Sequence, residues 1–300
     1  MQIGVDLGGS HIGVGLVTQE GKLMDSVHGD ITDRTRIQSY IPETIISYIQ
    51  ELLQRNQMQE GEITKIGLAV PGSFKKGAIL HAVNLGIEKL EIASTLHSYF
   101  KVPVVGNNDV NCAGIAEKRI GSLTAYEDAL FLTIGTGIGG AYFYQGELVS
   151  PKRNSGLEVG HMVIDKNGAE CNCGKCGCFE TYCSIKRLKI KVRQILQLPE
   201  ETSGKQIVEE LRQNKQRVEI ENIIEEYTDY LAIGLSNLVT ILEPEVISIG
   251  GSFVHYADLF IPQTIKKIQE RHLLFQEREN LSIILAKLGN DAGKIGAAML

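Results

Sequence analysis

The 300-residue sequence predicts an α/β protein of two lobes with a cleft between them. Apolar runs of strand length alternate with segments of helical spacing, which is typical of a sheet that contains parallel strands. The pattern restarts near the middle of the chain. GVDLGGSHIGVGLV at residues 4–17 and LTIGTGIGGAYFYQ at residues 132–145 both predict a strand, a glycine turn and a second strand. This weak internal repeat favours a duplicated core.

The first half of the chain predicts three strands before its first helix. Two apolar runs flank the first glycine turn, and a third strand begins near Gly21. Helical spacing of isoleucine and leucine follows, with Pro42 where a first helical turn tolerates proline. The predicted strands are 3–7, 12–18, 66–70 and 102–105, and the predicted helices are 42–53, 92–100 and 109–119.

The second half opens with strands at 129–134 and 141–144, joined by the glycine turn 135–140. Helices follow a cysteine-rich segment, and the longest, 219–242, carries one apolar stripe and stops before Pro244. The remaining elements are strands at 246–249 and 281–286 and a helix at 291–300. We expect an N-terminal domain at 1–118, on which helix 290–300 packs back, and a larger C-terminal domain at 119–289.

Composition and charge exclude several classes of protein. The net charge of −6 argues against a nucleic-acid-binding surface. No apolar run reaches the length of a membrane span, and the sequence opens without a basic and apolar leader. Four of the six cysteines lie within eight positions, a spacing that favours metal binding in an intracellular protein over a disulfide scaffold. We therefore expect a cytoplasmic protein without nucleic-acid or membrane partners.

The cysteine-rich segment predicts a structural zinc site. Three thiolates and one imidazole make a complete tetrahedral set, and a closed set of four is typical of structural zinc. The preferred ligands are His161, Cys171, Cys173 and Cys178. Cys176 is a rival thiol, since a site of four cysteines would release the histidine. Two carboxylates, Glu158 and Glu180, bracket the segment, so a bound metal would also fix their positions.

The two glycine turns predict phosphate binding. Glycines allow phosphate oxygens to approach backbone amides, and the turns offer Gly8, Gly9, Ser10, Thr136 and Gly137. Asp6 ends the strand before the first turn, and we expect it to help hold Mg²⁺, directly or through water. The alternative is a pair of tight hairpins whose glycines need positive φ. The match of 135–140 to a dinucleotide motif fails, because a strand and not a helix follows it.

Asp109 is the candidate catalytic base. The segment GNNDVN at 106–111 follows a predicted buried strand and opens a helix, and α/β folds place chemistry at strand ends. Phosphoryl transfer to an alcohol needs a carboxylate that accepts the hydroxyl proton, and Asn108 offers hydrogen bonds to sugar hydroxyls. A simpler interpretation is that Asp109 only caps the helix. Asn84, in the segment 81–90, is a candidate sugar contact or a turn residue.

Together these motifs resemble the ROK family (repressors, open reading frames and sugar kinases) of the actin-like ATPase superfamily. The resemblance spans the chain, and it implies a ribonuclease-H-like duplication with a cleft that closes on sugar. The motifs are DLGGS at 6–10, PGS at 71–73, NNDVN at 107–111, TIGTGIGG at 133–140, EVGH at 158–161, CNCGKCGCFE at 171–180 and ISIGGS at 247–252. Departures are Ser10 in place of a threonine, Leu157 before EVGH, and the extra thiol of Cys176.

The resemblance implies transfer of the γ-phosphate of ATP to the 6-hydroxyl of a hexose, with glucose preferred, by a homodimer. Asp109 would be the base. The implied sugar contacts are Gly72, Asn84, Asn108, Asp109, Glu158, His161 and Glu180, and the implied ATP and Mg²⁺ contacts are Asp6, Gly8, Gly9, Ser10, Thr136, Gly137, Gly250 and Gly251.

Alternatives remain within and outside this chemistry. An N-acylhexosamine kinase, acting on N-acetylmannosamine or N-acetylglucosamine, or a kinase for another hexose would carry the same motifs. Part of the family consists of sugar-responsive repressors, which place a winged helix-turn-helix before the first strand. The first predicted strand begins at Ile3, so we expect no such domain, and the acidic charge agrees.

Overall fold

Two five-stranded sheets of matching design carry the fold, in a computed structural model that describes residues 1–151, 156–270 and 282–300. A third sheet has three strands. The strands are β1 (Gln2–Leu7), β2 (His11–Val17), β3 (Leu23–Asp30), β4 (Lys65–Val70), β5 (Ser73–Lys75), β6 (Ala78–Ala82), β7 (Ile87–Glu91), β8 (Val104–Asn108), β9 (Ala129–Ile134), β10 (Ile138–Tyr144), β11 (Glu147–Leu148), β12 (Val246–Gly250) and β13 (Ser282–Leu285).

Helices are present in both halves of the chain. They are α1 (Ile37–Arg55), α2 (Ala93–Phe100), α3 (Asp109–Ile120), α4 (Phe179–Cys183), α5 (Ile185–Leu196), α6 (Gly204–Gln213), α7 (Val218–Leu242), α8 (Ala257–Glu270) and α9 (Ala292–Ala298). Among the described helices, none combines the length and the apolar character that a bilayer crossing requires.

The two large sheets share one strand arrangement. Their orders are β3-β2-β1-β4-β8 and β11-β10-β9-β12-β13. In each, an antiparallel pair around a glycine turn, β2-β1 or β10-β9, is followed by two strands parallel to the second member. The predicted repeat of strand, glycine turn and strand is therefore present in both. An α/β fold follows from the interleaved helices and parallel strands.

The chain forms two compact units. One consists of residues 1–125, 147–157 and 287–300, and the other of residues 126–146 and 158–286. The first unit has a continuous apolar core under α1, in which Ile41, Ile45 and Ile49 are fully buried against β1 and β2 side chains. The domain boundaries expected from the sequence, 1–118 and 119–289, stay predictions.

Helix α9 packs with its backbone in direct contact with the first sheet. A Cβ atom on Gly4 or on Gly67 would lie 1.8 Å from a carbonyl oxygen of α9, and one on Gly296 would lie 1.7 Å from the Cys112 carbonyl in α3. No side chain fits in such spaces, because real Cβ atoms do not approach other atoms so closely. Glycines on both partners therefore let this helix lie against β1, β4 and α3.

A buried carboxylate fixes the chain on both sides of this helix packing. Glu117, near the end of α3, is fully buried. One of its oxygens accepts the amides of Lys287 (2.8 Å) and Leu288 (2.7 Å), and the other accepts the amide of Ser122 (2.7 Å). The segment that enters α9 and the segment that leaves α3 are thereby held by one side chain.

Three details differ from the prediction. The predicted start of α1 at Pro42 is wrong, since the helix begins at Ile37. Packing explains the difference, because Ile41 is buried and the ring of Tyr40 packs on the core, which outweighs one amide bond lost at the proline. The small sheet β5-β6-β7 was not predicted. The second glycine turn is shorter than predicted, since Gly139 and Gly140 pair with β9.

Other predicted elements fall on the expected segments with shifted ends. Strand β8 continues to Asn108, three residues beyond the predicted end, because it pairs with β4 as far as Val70. The predicted strand 281–286 corresponds to β13, and residue 281 lies outside the described residues.

We expect Glu117→Gln to lower the free energy of unfolding by about 1–3 kcal/mol, because the amide NH₂ of glutamine faces a buried backbone donor where the carboxylate accepted it. Thermal and urea unfolding measure this. Glu209→Gln is the control, since that carboxylate is exposed and accepts a hydrogen bond from the Gln213 side chain. Equal melting temperatures for both variants would contradict the role given to Glu117.

Candidate active site and metal centre

The parallel strands of the first unit end together and gather several predicted site residues. Asp6 of β1 pairs with Ala69 of β4, and Ala69 pairs with Asn107 of β8. These residues stand in one row across the sheet, at the carboxyl ends of three neighbouring parallel strands. Such an edge is where open α/β sheets bind ligands. The residues that follow the row are therefore well placed for chemistry.

Asn108, not Asp109, caps helix α3. The Asn108 side-chain oxygen accepts the amides of Val110 (3.0 Å) and Asn111 (3.3 Å), and its NH₂ donates to the Gly72 carbonyl (3.2 Å). The interpretation of Asp109 as the cap is wrong. Asp109 is the first helical residue, half-buried, with one carboxylate oxygen near the amide of Val110 (2.9 Å). The cap and the Asp109 carboxylate are therefore two separate groups at the start of this helix.

Asp6 and Asp109 both act electrostatically on one buried thiol. Burial raises the pKa of Cys112 well above its usual value, and the negative charges of Asp109 and Asp6 add to the rise. Cys112 lies in α3, under the sheet edge described above. The two predicted functional carboxylates of the first unit thus belong to one electrostatic neighbourhood.

The first glycine turn is closed by its own backbone and lined by a histidine. The Gly8 amide donates to the His11 carbonyl (2.9 Å), and the Ile31 amide donates to the Ser10 carbonyl (2.8 Å). A Cβ on Gly8 would lie 2.4 Å from the His11 ring. Neither Gly8 nor Gly9 has positive φ, so the hairpin alternative does not explain them. The absence of a side chain at Gly8 leaves room for the His11 ring.

A charged cluster surrounds Asp6, and the sequence analysis missed three of its members. Burial raises the pKa of the Asp6 carboxyl, His11 and Lys294 lower it, and Asp291 raises it further. The Lys294 ammonium is buried and lies 2.7 Å from Asp291. Its stem runs over Gly13 of β2, the residue paired with Asp6. In the sequence, the feature that could have indicated this role is a lysine, Lys294, within the otherwise apolar segment GKIGAAM at 293–299.

The second glycine turn carries a carboxylate on its amides. Glu180 accepts the amide of Ile138 (2.9 Å), and a Cβ on Gly137 would lie 2.3 Å from the same carboxylate oxygen. Glu180 was predicted as a sugar contact. In this structure it lies against the turn that was predicted to bind phosphate, where a negative charge would oppose a phosphate group.

The end of β12 lies next to the same turn. Gly250 pairs with Thr133, the residue two before the turn. Gly251 has φ of 73°, and a Cβ on Gly135 would lie 3.8 Å from the Ser252 hydroxyl oxygen. Thr136 is exposed at the tip of the turn. The structure thus brings the predicted phosphate and adenosine segments of the second unit together.

Four predicted metal ligands converge in the second unit. One donor atom from each of His161, Cys171, Cys173 and Cys178 lies within 4.8 Å of all the others. The Cys173 and Cys178 sulfurs are 3.6 Å apart, far beyond the length of a disulfide bond, and Cys171 Sγ is 3.6 Å from His161 Nδ1. The thiol of Cys176 is exposed and outside this group.

These distances fit a tetrahedral zinc ion. Two thiolates bound to one zinc lie about 3.8 Å apart, and a thiolate and an imidazole nitrogen about 3.6 Å apart. Burial and the neighbouring thiols of Cys173 and Cys171 raise the pKa of Cys178 to about 12. A backbone hydrogen bond from Lys175 lowers the pKa of Cys173. Three crowded thiols and one ring nitrogen are a donor set that a metal cation would satisfy.

Helix α4 anchors the far end of the metal segment. Cys183, its last residue, is buried under α7, where the Tyr227 hydroxyl donates to the Cys183 carbonyl (2.7 Å). Glu180 lies in this helix, two residues after Cys178. Glu158 is exposed, and its carbonyl accepts the His161 amide (3.0 Å). No contact of the Glu158 carboxylate with the other site residues is present among the described residues.

Comparison with curated proteins finds kinases and repressors of sugar metabolism. The chain is 29% identical over 311 residues to a glucokinase of Halalkalibacterium halodurans, covering 99% of this chain and 94% of that protein. It is 26% identical over 310 residues to a putative xylose repressor of a Caldicellulosiruptor species, covering 99% of this chain and 77% of the repressor.

Solved structures show the same fold and the same range of names. A ROK family glucokinase from Streptomyces griseus, in complex with glucose and AMPPNP, superposes with a TM-score of 0.81 at 25% identity, over 99% of this chain and 97% of that one. Lmo2764, a putative N-acetylmannosamine kinase from Listeria monocytogenes, gives 0.78 at 26% identity, over 99% and 97% of the chains. The model of the ROK family matches residues 2–300, and this chain therefore belongs to the ROK family, in which its relatives include both sugar kinases and repressors.

Proposed function

We propose that this protein is an ATP-dependent hexose kinase that transfers the γ-phosphate of ATP to the 6-hydroxyl of its sugar, with glucose as the preferred substrate. The observation that carries the proposal lies at the start of α3. Asn108 caps the helix there, and Asp109 is a separate carboxylate on the first helical residue. A half-buried carboxylate at the end of a parallel strand suits a general base. The glucokinases among the relatives support the same reaction.

Asp109 would accept the proton of the sugar hydroxyl as that oxygen attacks phosphorus. One oxygen of its carboxylate faces the Val110 amide, so this bond would fix the orientation of the other oxygen toward the acceptor. Asn108 would position the base through its cap and through its bond to Gly72, and its direct contact with sugar stays a prediction. Phosphoryl transfer depends on such positioning more than on covalent chemistry.

The remaining ATP contacts would come from the two glycine turns and the end of β12. The amides of the Gly8–Ser10 turn would face the phosphates. Thr136 and Gly137 of the second turn would join them once the Glu180 carboxylate has left the Ile138 amide. Asp6 is the carboxylate that we expect to help hold a magnesium ion, since it lies at the carboxyl end of β1, just before the first glycine turn. Mg²⁺, when bound, would neutralise charge on the phosphates. Gly250 and Gly251 would border the adenosine.

The metal centre would shape the sugar-binding residues of the second unit. We propose zinc, held by His161, Cys171, Cys173 and Cys178, as a structural ion. His161 turns Nδ1 to the cluster, which leaves Nε2 on the other side of the ring for a sugar hydroxyl. Glu158 and Glu180 would complete the sugar contacts. The closing of a cleft and the homodimer stay predictions.

We expect Asp109→Asn to lower kcat by about 10²–10⁴-fold, the usual contribution of a general base, while the Kd for glucose stays near that of the wild type. The asparagine keeps an oxygen for the Val110 amide, so the helix start is preserved. A coupled kinase assay and calorimetric titration measure the two quantities. Near-normal kcat in this variant would refute the assignment of the base.

We expect about one zinc per chain by metal analysis of the purified protein. Cys178→Ser should lose the metal and melt at a lower temperature, because the binding energy of a structural zinc is folding energy. Cys176→Ser is the matched control, since the thiol of Cys176 lies outside the cluster. Loss of zinc in the control, or full activity of a zinc-free protein, would contradict the ligand set.

A substrate panel tests the sugar. Lmo2764, described as a putative N-acetylmannosamine kinase, makes an N-acylhexosamine the second candidate. A coupled assay with ATP should cover glucose, mannose, fructose, allose, N-acetylglucosamine and N-acetylmannosamine. The highest kcat/KM for glucose is expected. Phosphorylation of none of these sugars would refute the kinase, and operator binding at physiological salt would then favour a repressor.

A further inference from the structure

An arginine outside every predicted motif contacts two of the predicted substrate-binding segments. The Arg34 guanidinium donates one hydrogen bond to the Gly9 carbonyl (2.6 Å), in the first glycine turn. It donates another to the Asn84 carbonyl (3.2 Å), in the segment predicted to contact sugar. Arg34 is exposed, so these bonds are not imposed by a surrounding core.

The two segments that Arg34 joins already touch one another. A Cβ on Gly9 would lie 3.1 Å from the Asn84 Cβ, so the glycine turn rests on the Asn84 side chain. The guanidinium has a fork of donors in fixed geometry, which suits two carbonyl oxygens at once. We propose that Arg34 is a positioning residue that orients the Gly8–Ser10 turn for phosphate and ties it to the Asn84 segment, an inference that rests on the proposed phosphate role of this turn.

Peptide geometry explains how a bond to a carbonyl orients an amide. The peptide between Gly9 and Ser10 is planar and trans, so its C=O and its N–H point in opposite directions. When Arg34 binds the Gly9 carbonyl, the Ser10 amide is held pointing away from Arg34. A glycine turn without this bond could rotate that peptide easily, because its glycines have few forbidden backbone angles.

The charge of Arg34 also suits a phosphate turn. Within the described ranges, no carboxylate oxygen lies within ion-pair distance of the Arg34 guanidinium, whereas Arg36, two residues later, pairs with Asp33 at 3.0 Å. A positive charge on the carbonyl side of the turn polarises the peptide and strengthens its N–H as a donor. The effect acts through the Gly9–Ser10 peptide, without direct contact between Arg34 and the phosphate.

The loop that carries Arg34 is itself fixed. Asp33 accepts the amides of Thr35 (3.0 Å) and Arg36 (3.3 Å), which forms a tight turn before α1. Hydrogen bonds to the Thr35 and Arg36 side chains lower the pKa of Asp33 to about 2. The base of the loop is joined to the glycine turn by the Ile31–Ser10 bond. The loop that carries Arg34 is therefore held by hydrogen bonds on both sides of this residue.

The test compares Arg34→Gln, Arg34→Lys and the control Arg55→Gln in the full chain, since Arg55 is an exposed arginine of α1 that bonds Asp25 and Glu51. The Kd of AMPPNP with Mg²⁺ is measured by calorimetry, kcat and KM for ATP by the coupled assay, and Tm by thermal unfolding. We expect Arg34→Gln to weaken AMPPNP binding about threefold to tenfold, the size of a lost charge-assisted bond near the surface. Arg34→Lys should be intermediate, since one ammonium reaches one carbonyl, and Arg55→Gln should match the wild type.

The outcomes separate this inference from the proposed function. Wild-type AMPPNP affinity in Arg34→Gln, in a protein that phosphorylates hexose, overturns the inference alone. Weaker binding in Arg34→Gln with no phosphorylation of any sugar by the wild type overturns the kinase alone. Absence of AMPPNP binding by the wild type overturns both. A fall in Tm that accompanies equal losses of nucleotide and glucose binding in Arg34→Gln reduces Arg34 to a structural residue and also overturns the inference.

Discussion

The direct contact of the α9 backbone with β1, β4 and α3 is the constraint on which the first unit depends. It places Gly293 so close to Asp6 that a Cβ there would lie 2.6 Å from the carboxylate. The same helix touches Cys112, in the helix that Asp109 opens. One packing interaction therefore sets the position of both candidate functional carboxylates. Glycines are required at the contact because there is no room for a methyl group.

The second unit relies on a different device. Its cysteine-rich segment is held by two isolated bridges, at Val163–Cys178 and Glu170–Cys176, and by turn hydrogen bonds such as the one from the Cys171 amide to the Lys175 carbonyl, in place of a continuous strand ladder. Four soft donors converge in it, and α4 packs under α7 behind them. Glu180 lies between these anchors and rests on the second glycine turn. The state described here therefore joins the metal segment to the turn through one carboxylate.

Much of this architecture could be predicted because its signals are local. Strands β1, β4, β9 and β12 are continuous apolar runs, and their ends coincide with the glycine motifs. The helix start at Asp109 follows from a polar segment after a strand. The metal ligands could be chosen because three thiols and a histidine within eighteen residues leave few combinations.

What could not be predicted depends on contacts between distant residues. The short strands β5 to β7 have three to five residues each and carry a weak signal. Lys294 stands 288 residues after Asp6, and no local pattern indicates that α9 brings its ammonium to β1 and β2. Arg34 lies in an exposed loop where a single arginine is unremarkable in sequence. Asn108 replaced Asp109 as the cap because both residues favour that position equally.

The packing of α9 on β1 and β4 has a consequence for folding during translation. Strand β1 meets a helix that is translated only after the whole of residues 126–286. Loop-closure entropy opposes so distant a pairing until the intervening chain is itself compact. During translation, β1 and β4 would therefore leave the ribosome with the surface around Gly4 and Gly67, on which α9 packs, still exposed. The first unit could complete its packing only after residues 287–300 had emerged.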